Sequence, residues 1–299
     1  MNNIKWLEER RKGVGGSDVA AILGLNPWKT AYRVYQEKRK EVEDWQGNDA
    51  TEWGKRMEPA IRQFYSDVTG RSVRLPDKIM YHSKYPFMLA SLDGFTDDHR
   101  VVELKTARSG KDWGEPGTNE IPDYYALQCQ HYLIVTGFEV ADIVVSIGGG
   151  SPNLYEVLED KELQGMIIDA EADFWQRVQE GNPPDVVTYA DAVQRYGLNT
   201  ATGAVVADED AIKNILALKA LQTKIKEMEV IQEEIKGRLI TFIGGSGDAI
   251  VDADTNYLIT YKLAKGKTMF DAKALKKDMP DIYKMYLKTG GATRRFLIK

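Results

Sequence analysis

The most constraining feature of this chain is one stretch in which two apolar runs flank four polar residues. Phe87–Phe95 (FMLASLDGF) and Arg100–Thr106 (RVVELKT) read as strands, and Thr96-Asp97-Asp98-His99 between them is a hairpin signal. Residues two apart in a strand share a face. Glu103 and Lys105 therefore point one way, while Val102 and Leu104 point the other, into a core. A turn at Asp98-His99 brings Asp93 beside Glu103. The stretch predicts two carboxylates and one ammonium converging on one sheet face.

The flanking sequence predicts an α/β arrangement around that hairpin. A short polar helix ends in Arg10, Arg11 and Lys12, and GVGGSD follows, where Gly13, Gly15 and Gly16 permit a tight turn. Ser17 is placed to cap a helix through Ala20, Ile22 and Leu23. Thr30 can cap another over Ala31 to Lys40. After a polar loop at about 41–51, Met57, Ile61, Phe64 and Val68 mark the apolar face of a helix ending at Gly70. Arg71–Leu75 and Ile79–His82 are short strand candidates. Residues 107–121 read as a polar, mobile loop, and Pro122 opens a helix that stops at Gly137. Ala141–Ile147 and Leu154–Leu158 form a strand pair around three glycines. Asp160 then starts an amphipathic helix ending at Gly181.

Asp185–Ala207 lacks periodicity, so the predicted division is a core at 1–190, a linker at 191–207 and a tail at 208–299. In the tail, Leu218, Leu221, Ile225, Met228, Gln232, Ile235, Leu239 and Phe242 form a heptad seam with one polar position. At about three and a half heptads it is marginal alone, so it is expected to pack on something. A hairpin (249–251 with 257–263), a helix capped by Asp271 and a last strand at Arg294–Ile298 complete the tail.

Composition removes several classes of function. Cys129 is the single cysteine of the 299 residues, which excludes an internal disulfide and a cysteine-built zinc or iron–sulfur site. His82, His99 and His131 are far apart in sequence, so any metal must be held by carboxylates. No apolar run approaches the ~20 residues of a membrane span, and the N-terminus lacks a signal-peptide core. A net charge of −5 argues against a protein that simply coats nucleic acid. The imbalance is uneven. Residues 200–299 hold 17 basic and 13 acidic side chains, and 1–199 hold 23 and 32. An enzyme concentrating positive charge in one channel remains compatible with this.

Two carboxylates with a lysine suit metal-assisted phosphodiester hydrolysis. The acids can hold a hard cation such as Mg²⁺, which retains several waters. The cation lowers the pKa of a bound water and neutralises phosphate charge. Lys105 can orient or deprotonate the attacking water. On spacing alone the same residues also fit an ordinary surface hairpin.

GVGGSDVAAILGLNPW, WGKRMEPAIRQFY, FMLASLDGF, VVELKTA and IPDYYALQCQHYLIVTG occur in an order and spacing that resemble YqaJ-like viral recombinases. These are exonucleases of the lambda-exonuclease type within the PD-(D/E)xK nuclease superfamily. The resemblance covers roughly residues 8–185. It implies a mixed-sheet α/β core of the restriction-endonuclease kind, with the tail as an appendage. It makes Asp93 and Glu103 metal-binding acids, Lys105 the catalytic lysine, and the Leu104 carbonyl a further metal ligand. It makes Glu58 an acid near the site that supports a second metal, and Gln128 and Tyr132 a Gln-x-x-x-Tyr pair on one helix face. Arg11, Ser17, Ser91 and Gln128 match a pocket for the terminal 5′-phosphate, with Tyr132 beside them. Trp113 is the candidate for touching DNA, whereas Trp28 and Trp53 are expected to pack.

The implied activity is Mg²⁺-dependent 5′-to-3′ digestion of linear double-stranded DNA, leaving 3′ overhangs for recombination. Two ions are implied, with Mn²⁺ able to substitute. The implied partners are a single-strand annealing protein and two further copies of the chain in a homotrimeric ring, in the cytoplasm of a bacterial host. An endonuclease of the same superfamily stays open. So does a catalytically silent end-binding or scaffold module, against which the intact Asp93, Glu103 and Lys105 count.

Overall fold

The structure, a computed structural model, describes residues 3–43, 46–197, 200, 203–252, 254, 256–288, 290 and 294–298. The chain divides into two compact units, Met1–Val193 and Gln194–Lys299. In the first, α1 (Asn3–Arg10), β1 (Val14–Gly15), α2 (Gly16–Ile22), α3 (Ala31–Lys38) and α4 (Asp49–Thr69) precede the strands. Then come β2 (Val73–Arg74), β3 (Met80–Tyr81), β4 (Met88–Ala90), β5 (Gly94–Thr96) and β6 (Arg100–Ala107). The unit continues with α5 (Asp123–Thr136), β7 (Val140–Ile147), β8 (Asn153–Leu158) and α6 (Lys161–Glu180). The helix α7 (Tyr189–Tyr196) crosses the division, within the stretch expected to begin a linker.

Local chemistry sets the helix ends. Thr30 Oγ1 accepts from Arg33 N at 3.1 Å, Asn48 Oδ1 from Thr51 N at 3.1 Å and Asp160 Oδ1 from Leu163 N at 3.0 Å. Each satisfies an N–H that the helix itself leaves unpaired. α4, α5 and α6 stop at Gly70, Gly137 and Gly181, with φ of 70°, 72° and 73°. Glycine occupies this left-handed region without a Cβ penalty.

The main sheet has the order β2-β5-β6-β7-β8. β6 and β7 run parallel from Arg100↔Val140 to Ala107↔Ile147, with α5 as the crossover, and the other pairings are antiparallel. Ile61 and Tyr65 of α4 cover one face through Val102, Leu104 and Val144. Leu127 and Leu133 of α5 cover the other through Val101, Ile143 and Val145. Parallel strands buried on both faces read as continuous apolar runs. In such a setting Glu103, on the α5 face, is only 2% exposed. α6 reaches the same core through Ile167, and a smaller one around Val14, Val34 and Tyr35 through Phe174 and Val178.

Several sequence expectations are corrected. Phe87–Phe95 is not one strand. β4 joins a separate sheet between β1 and β3, β5 joins the main sheet, and Ser91-Leu92-Asp93 crosses between them. The apolar Met88–Ala90 pairs with β1 and β3, and the chain leaves that sheet at the polar Ser91 and Asp93. Gly13 and Gly16 serve close approach rather than a tight turn. A Cβ on Gly13 would collide with Phe87 O, and one on Gly16 would lie 2.6 Å from the Tyr132 ring. Ser17 does not cap α2. Gly15 precedes that helix, and its N–H donates to Asp18 Oδ2 at 3.1 Å. Pro59, expected near a helix start, lies inside α4, ten residues past its first residue. The helix continues past the one backbone bond that proline cannot make, anchored further along by the buried Ile61 and Tyr65. The 107–121 loop is stitched down: Gly117 N donates to Leu154 O at 2.8 Å and Glu156 N to Thr118 O at 3.1 Å.

In the second unit, α8 (Glu209–Ile243) is followed by a hairpin of β9 (Ala249–Val251) and β10 (Tyr257–Thr260). The single helix expected after Asp271 is two, α9 (Ala272–Asp278) and α10 (Pro280–Met285), divided where Pro280 cannot donate an N–H. Residues 294–298 form no strand. Along the heptad seam Leu221, Ile225, Met228, Ile235 and Phe242 are exposed. Among the described residues no helix is long and apolar enough to cross a membrane.

Candidate active site

The site forms where β5 and β6 part. Their ladder ends at Gly94↔Val102, and Asp93 then bends away. The Asp93 side chain replaces the missing strand, its Oδ2 accepting from Leu104 N at 2.9 Å. The carboxylate of Asp93 is thereby fixed to the strand that carries Glu103 and Lys105. On α4, one turn beyond Glu58, the Arg62 guanidinium donates to Asp93 O at 3.3 Å. Its Nε is buried without a partner.

Glu103 is the hub. Its Oε1 pairs with Lys105 Nζ and accepts from Gln128 Nε2 at 2.7 Å. Lys105 Nζ also donates to Gln128 Oε1 at 3.3 Å and lies 4.8 Å from the centre of the Tyr125 ring. Gln128 donates to Tyr132 Oη at 2.9 Å, which donates to Ser91 O at 3.3 Å. One turn of α5 thus ties β6 to the bend at Ser91. The second carboxylate oxygen, Glu103 Oε2, is buried with no hydrogen bond.

That arrangement is electrostatically strained. Burial, and then the charge of Asp93, push Glu103 up to about 8, against the opposing pull of Lys105 and Gln128. Burial also acts to lower Lys105, but Glu103 and Asp93 outweigh it and raise the ammonium above its ordinary value. Glu58, half-buried, is raised by burial and by Asp93, with Arg62 and Lys105 opposing. Three acids in a partly dry site with one orphaned oxygen are short of positive charge, which a bound cation would supply. Among the described residues no three His, Cys, Asp or Glu side chains sit together as a ready-made ligand set. Asp93 and Glu103 form the fixed pair, and Glu58 approaches from α4.

A second cluster gathers beside the first. Asp18, 1% exposed, is met by Lys38 at 2.7 Å, Lys29 at 3.2 Å and Arg10 at 3.7 Å. Burial alone would raise its pKa, yet the three cations hold it well below the usual carboxylate range. Arg10 also donates to Ser17 Oγ at 2.7 Å and lies over the Trp6 ring at 4.9 Å. Trp6 Nε1 donates to Ser91 Oγ at 3.1 Å. Ser17 and Ser91 are therefore joined through Arg10 and Trp6, while the candidate named from sequence was the neighbouring Arg11. One residue of register separates them. Arg10 ends α1 and Ser17 lies in α2 beyond β1, so no helical spacing in the sequence announced the pair. Arg62 could have been found by its position four after Glu58 on one helix face. Trp6 and the lysines of the Asp18 cluster left no local signal.

Two tryptophans expected to pack are exposed, and the third is partly buried. Trp113 packs on Tyr125 and Tyr155, at 5.7 and 5.1 Å between ring centres. Trp28 and Trp53 are instead 74% and 56% exposed.

A mixed five-stranded sheet with an acid–x–lysine strand at its centre, an aspartate at the bend before it and helices on both faces is the PD-(D/E)xK nuclease fold. The fold is similar to the crystal structure of an alkaline exonuclease from Laribacter hongkongensis, with a TM-score of 0.50 at 19% identity, covering 60% of this chain and 94% of that one. The same values hold for that exonuclease in complex with dAMP. Residues 5–139 match the YqaJ-like viral recombinase domain. The full sequence is 32% identical over 318 residues to the protein YqaJ of Bacillus subtilis (strain 168), covering 100% of this chain and 95% of the relative. The chain therefore belongs to the YqaJ-like viral recombinase family. A shorter likeness, 43% identity over 95 residues, joins it to protein D345L of African swine fever virus, covering 30% of this chain and 27% of that protein.

Proposed function

We propose that the protein is a metal-dependent exonuclease that degrades the 5′-ended strand of linear double-stranded DNA and leaves 3′ overhangs. The observation that carries this reading is the convergence of Asp93, Glu103, Lys105 and Gln128 around a buried carboxylate with an unpartnered oxygen. Asp93, Glu103 and the Leu104 carbonyl would hold Mg²⁺, with Glu58 supporting a second ion and Mn²⁺ able to replace either. Bound there, the ion supplies a water of lowered pKa and neutralises charge on the phosphate. Lys105 orients the attacking water and carries positive charge toward the phosphate as negative charge develops. Gln128, holding both Glu103 and Lys105, fixes their relative position and leaves the site rigid at the moment of reaction.

Arg10, Ser17, Ser91 and Gln128 would receive the terminal 5′-phosphate, with Tyr132 bracing Gln128. A 5′-phosphate carries more charge than an internal phosphodiester, so cations gathered at that point select an end. The family also supports a homotrimeric ring and a single-strand annealing partner, with residues 208–299 as a module for docking or DNA guidance. Light scattering of the 33.7 kDa chain tests the ring, with a trimer expected and a strict monomer refuting it.

The deciding experiment is digestion of linear duplex DNA labelled at either end, with Mg²⁺ or EDTA. Mononucleotides released from 5′ ends only with Mg²⁺ are expected. Cleavage of closed circles would make the protein an endonuclease. End binding without products would make it a silent module.

A further inference from the structure

We propose that Trp28, backed by Tyr124, is a stacking platform for the terminal nucleobase of the strand being degraded; this rests on the exonuclease reading above. An apolar ring of this size normally finds cover in a fold, yet Trp28 is 74% exposed. Its backbone is nonetheless fixed. Asn26 Oδ1 accepts from Trp28 N at 2.8 Å and from Lys29 N at 2.9 Å, which fixes the turn that presents the ring. Its only ring contact among the described residues is Tyr124, edge to face at 5.0 Å and 76°.

The location determines what such a ring can bind. Tyr124 meets Tyr125 at 4.5 Å, and Lys105 Nζ lies 4.8 Å from the centre of the Tyr125 ring, so aromatic contacts run from Trp28 to the catalytic ammonium. On the other side the next residue, Lys29, pairs with Asp18 in the cluster that also holds Arg10 and Lys38. Trp28 is thus linked through its chain neighbour to the cations suited to a terminal phosphate, and through two tyrosines to the lysine suited to the scissile one. The group between two consecutive phosphates of a strand is a nucleoside. Every base has a π-face, so an aromatic platform accepts any of them, as an exonuclease requires. A ring fixed in advance loses little freedom on binding, so the stacking energy goes into affinity.

The test uses the full-length protein and a 5′-phosphorylated duplex with 2-aminopurine as its 5′-terminal base, under Ca²⁺ in place of Mg²⁺. Binding to the wild type is expected to quench the probe. Trp28→Ala should lose the quenching and bind the end about 5- to 150-fold more weakly, the range that base–aromatic stacking spans. Trp28→Phe should restore most of both. Thermal melts of the two variants should match the wild type, because the ring is outside the core. A wild-type complex without quenching, or quenching that survives in Trp28→Ala, overturns the platform while leaving the nuclease intact. A wild type that digests no DNA with Mg²⁺ overturns the nuclease reading itself, and the platform falls with it.

Discussion

Replacing Glu103 with Gln should flatten the pH dependence of stability in metal-free protein. Glu103 is 2% exposed, and its carboxyl is raised from 4.5 to about 8 by burial and by Asp93. The folded protein therefore holds this proton more tightly than the unfolded chain does. Between those two values unfolding releases a proton, so higher pH favours the unfolded state. The contribution is fully present below about pH 4.5 and is lost as pH rises through about 8. Each pKa unit corresponds to about 1.4 kcal/mol, so this group alone removes roughly 4–5 kcal/mol across the window. The carboxamide introduced by Glu103→Gln does not titrate, and its oxygen can still accept from Gln128. Urea unfolding in EDTA at pH 5.5 and 7.5, followed by tryptophan fluorescence, gives the two slopes. The wild type should lose about 2–3 kcal/mol more than Glu103→Gln between these points. Mg²⁺ should flatten the wild-type curve, because a bound cation favours the ionised carboxylate, and should leave the variant nearly unchanged. Parallel curves for the two proteins in EDTA would refute the buried, charge-starved carboxylate on which the metal-site reading depends.

Lys105→Ala should abolish turnover while end binding stays nearly intact, since Lys105 contributes mainly as charge develops; wild-type-like digestion would refute its role. Arg10→Ala should shrink the rate advantage of 5′-phosphorylated over 5′-hydroxyl ends, and Arg11→Ala should do so less, which paired digestion assays measure. Asp142→Ala should destabilise the core by about 1–3 kcal/mol in denaturant melts, because it leaves the Tyr65 hydroxyl without its acceptor and Arg100 with Glu156 as its remaining carboxylate; the lost bonds are 2.6–2.7 Å long. Truncation after Ala207 should preserve Mg²⁺-dependent digestion of short duplexes and impair processivity or partner binding. A folded truncation inactive on short duplexes would show the tail to be part of the active unit.

The sequence by itself determined what local chemistry governs. The acid–x–lysine alternation put Glu103 and Lys105 on one side of β6, because a strand has a period of two. Thr30, Asp160, Gly70, Gly137 and Gly181 set helix ends for reasons confined to one turn of backbone, and the Gln128–Tyr132 spacing set their shared face. Only the tertiary structure decided the rest. It split Phe87–Phe95 between two sheets, because β1 and β3 capture Met88–Ala90 while Gly94–Thr96 pairs with β2 and β6. It carried α4 through Pro59, where the contacts of Ile61 and Tyr65 with the sheet override an unfavourable local preference. It brought Arg10 to Ser17, packed Trp113 on Tyr125 and Tyr155, and exposed Trp28. Each of these depends on which distant surface meets the residue. A one-residue change of register turns a side chain to another face at no local cost, so the choice is made only when the core closes.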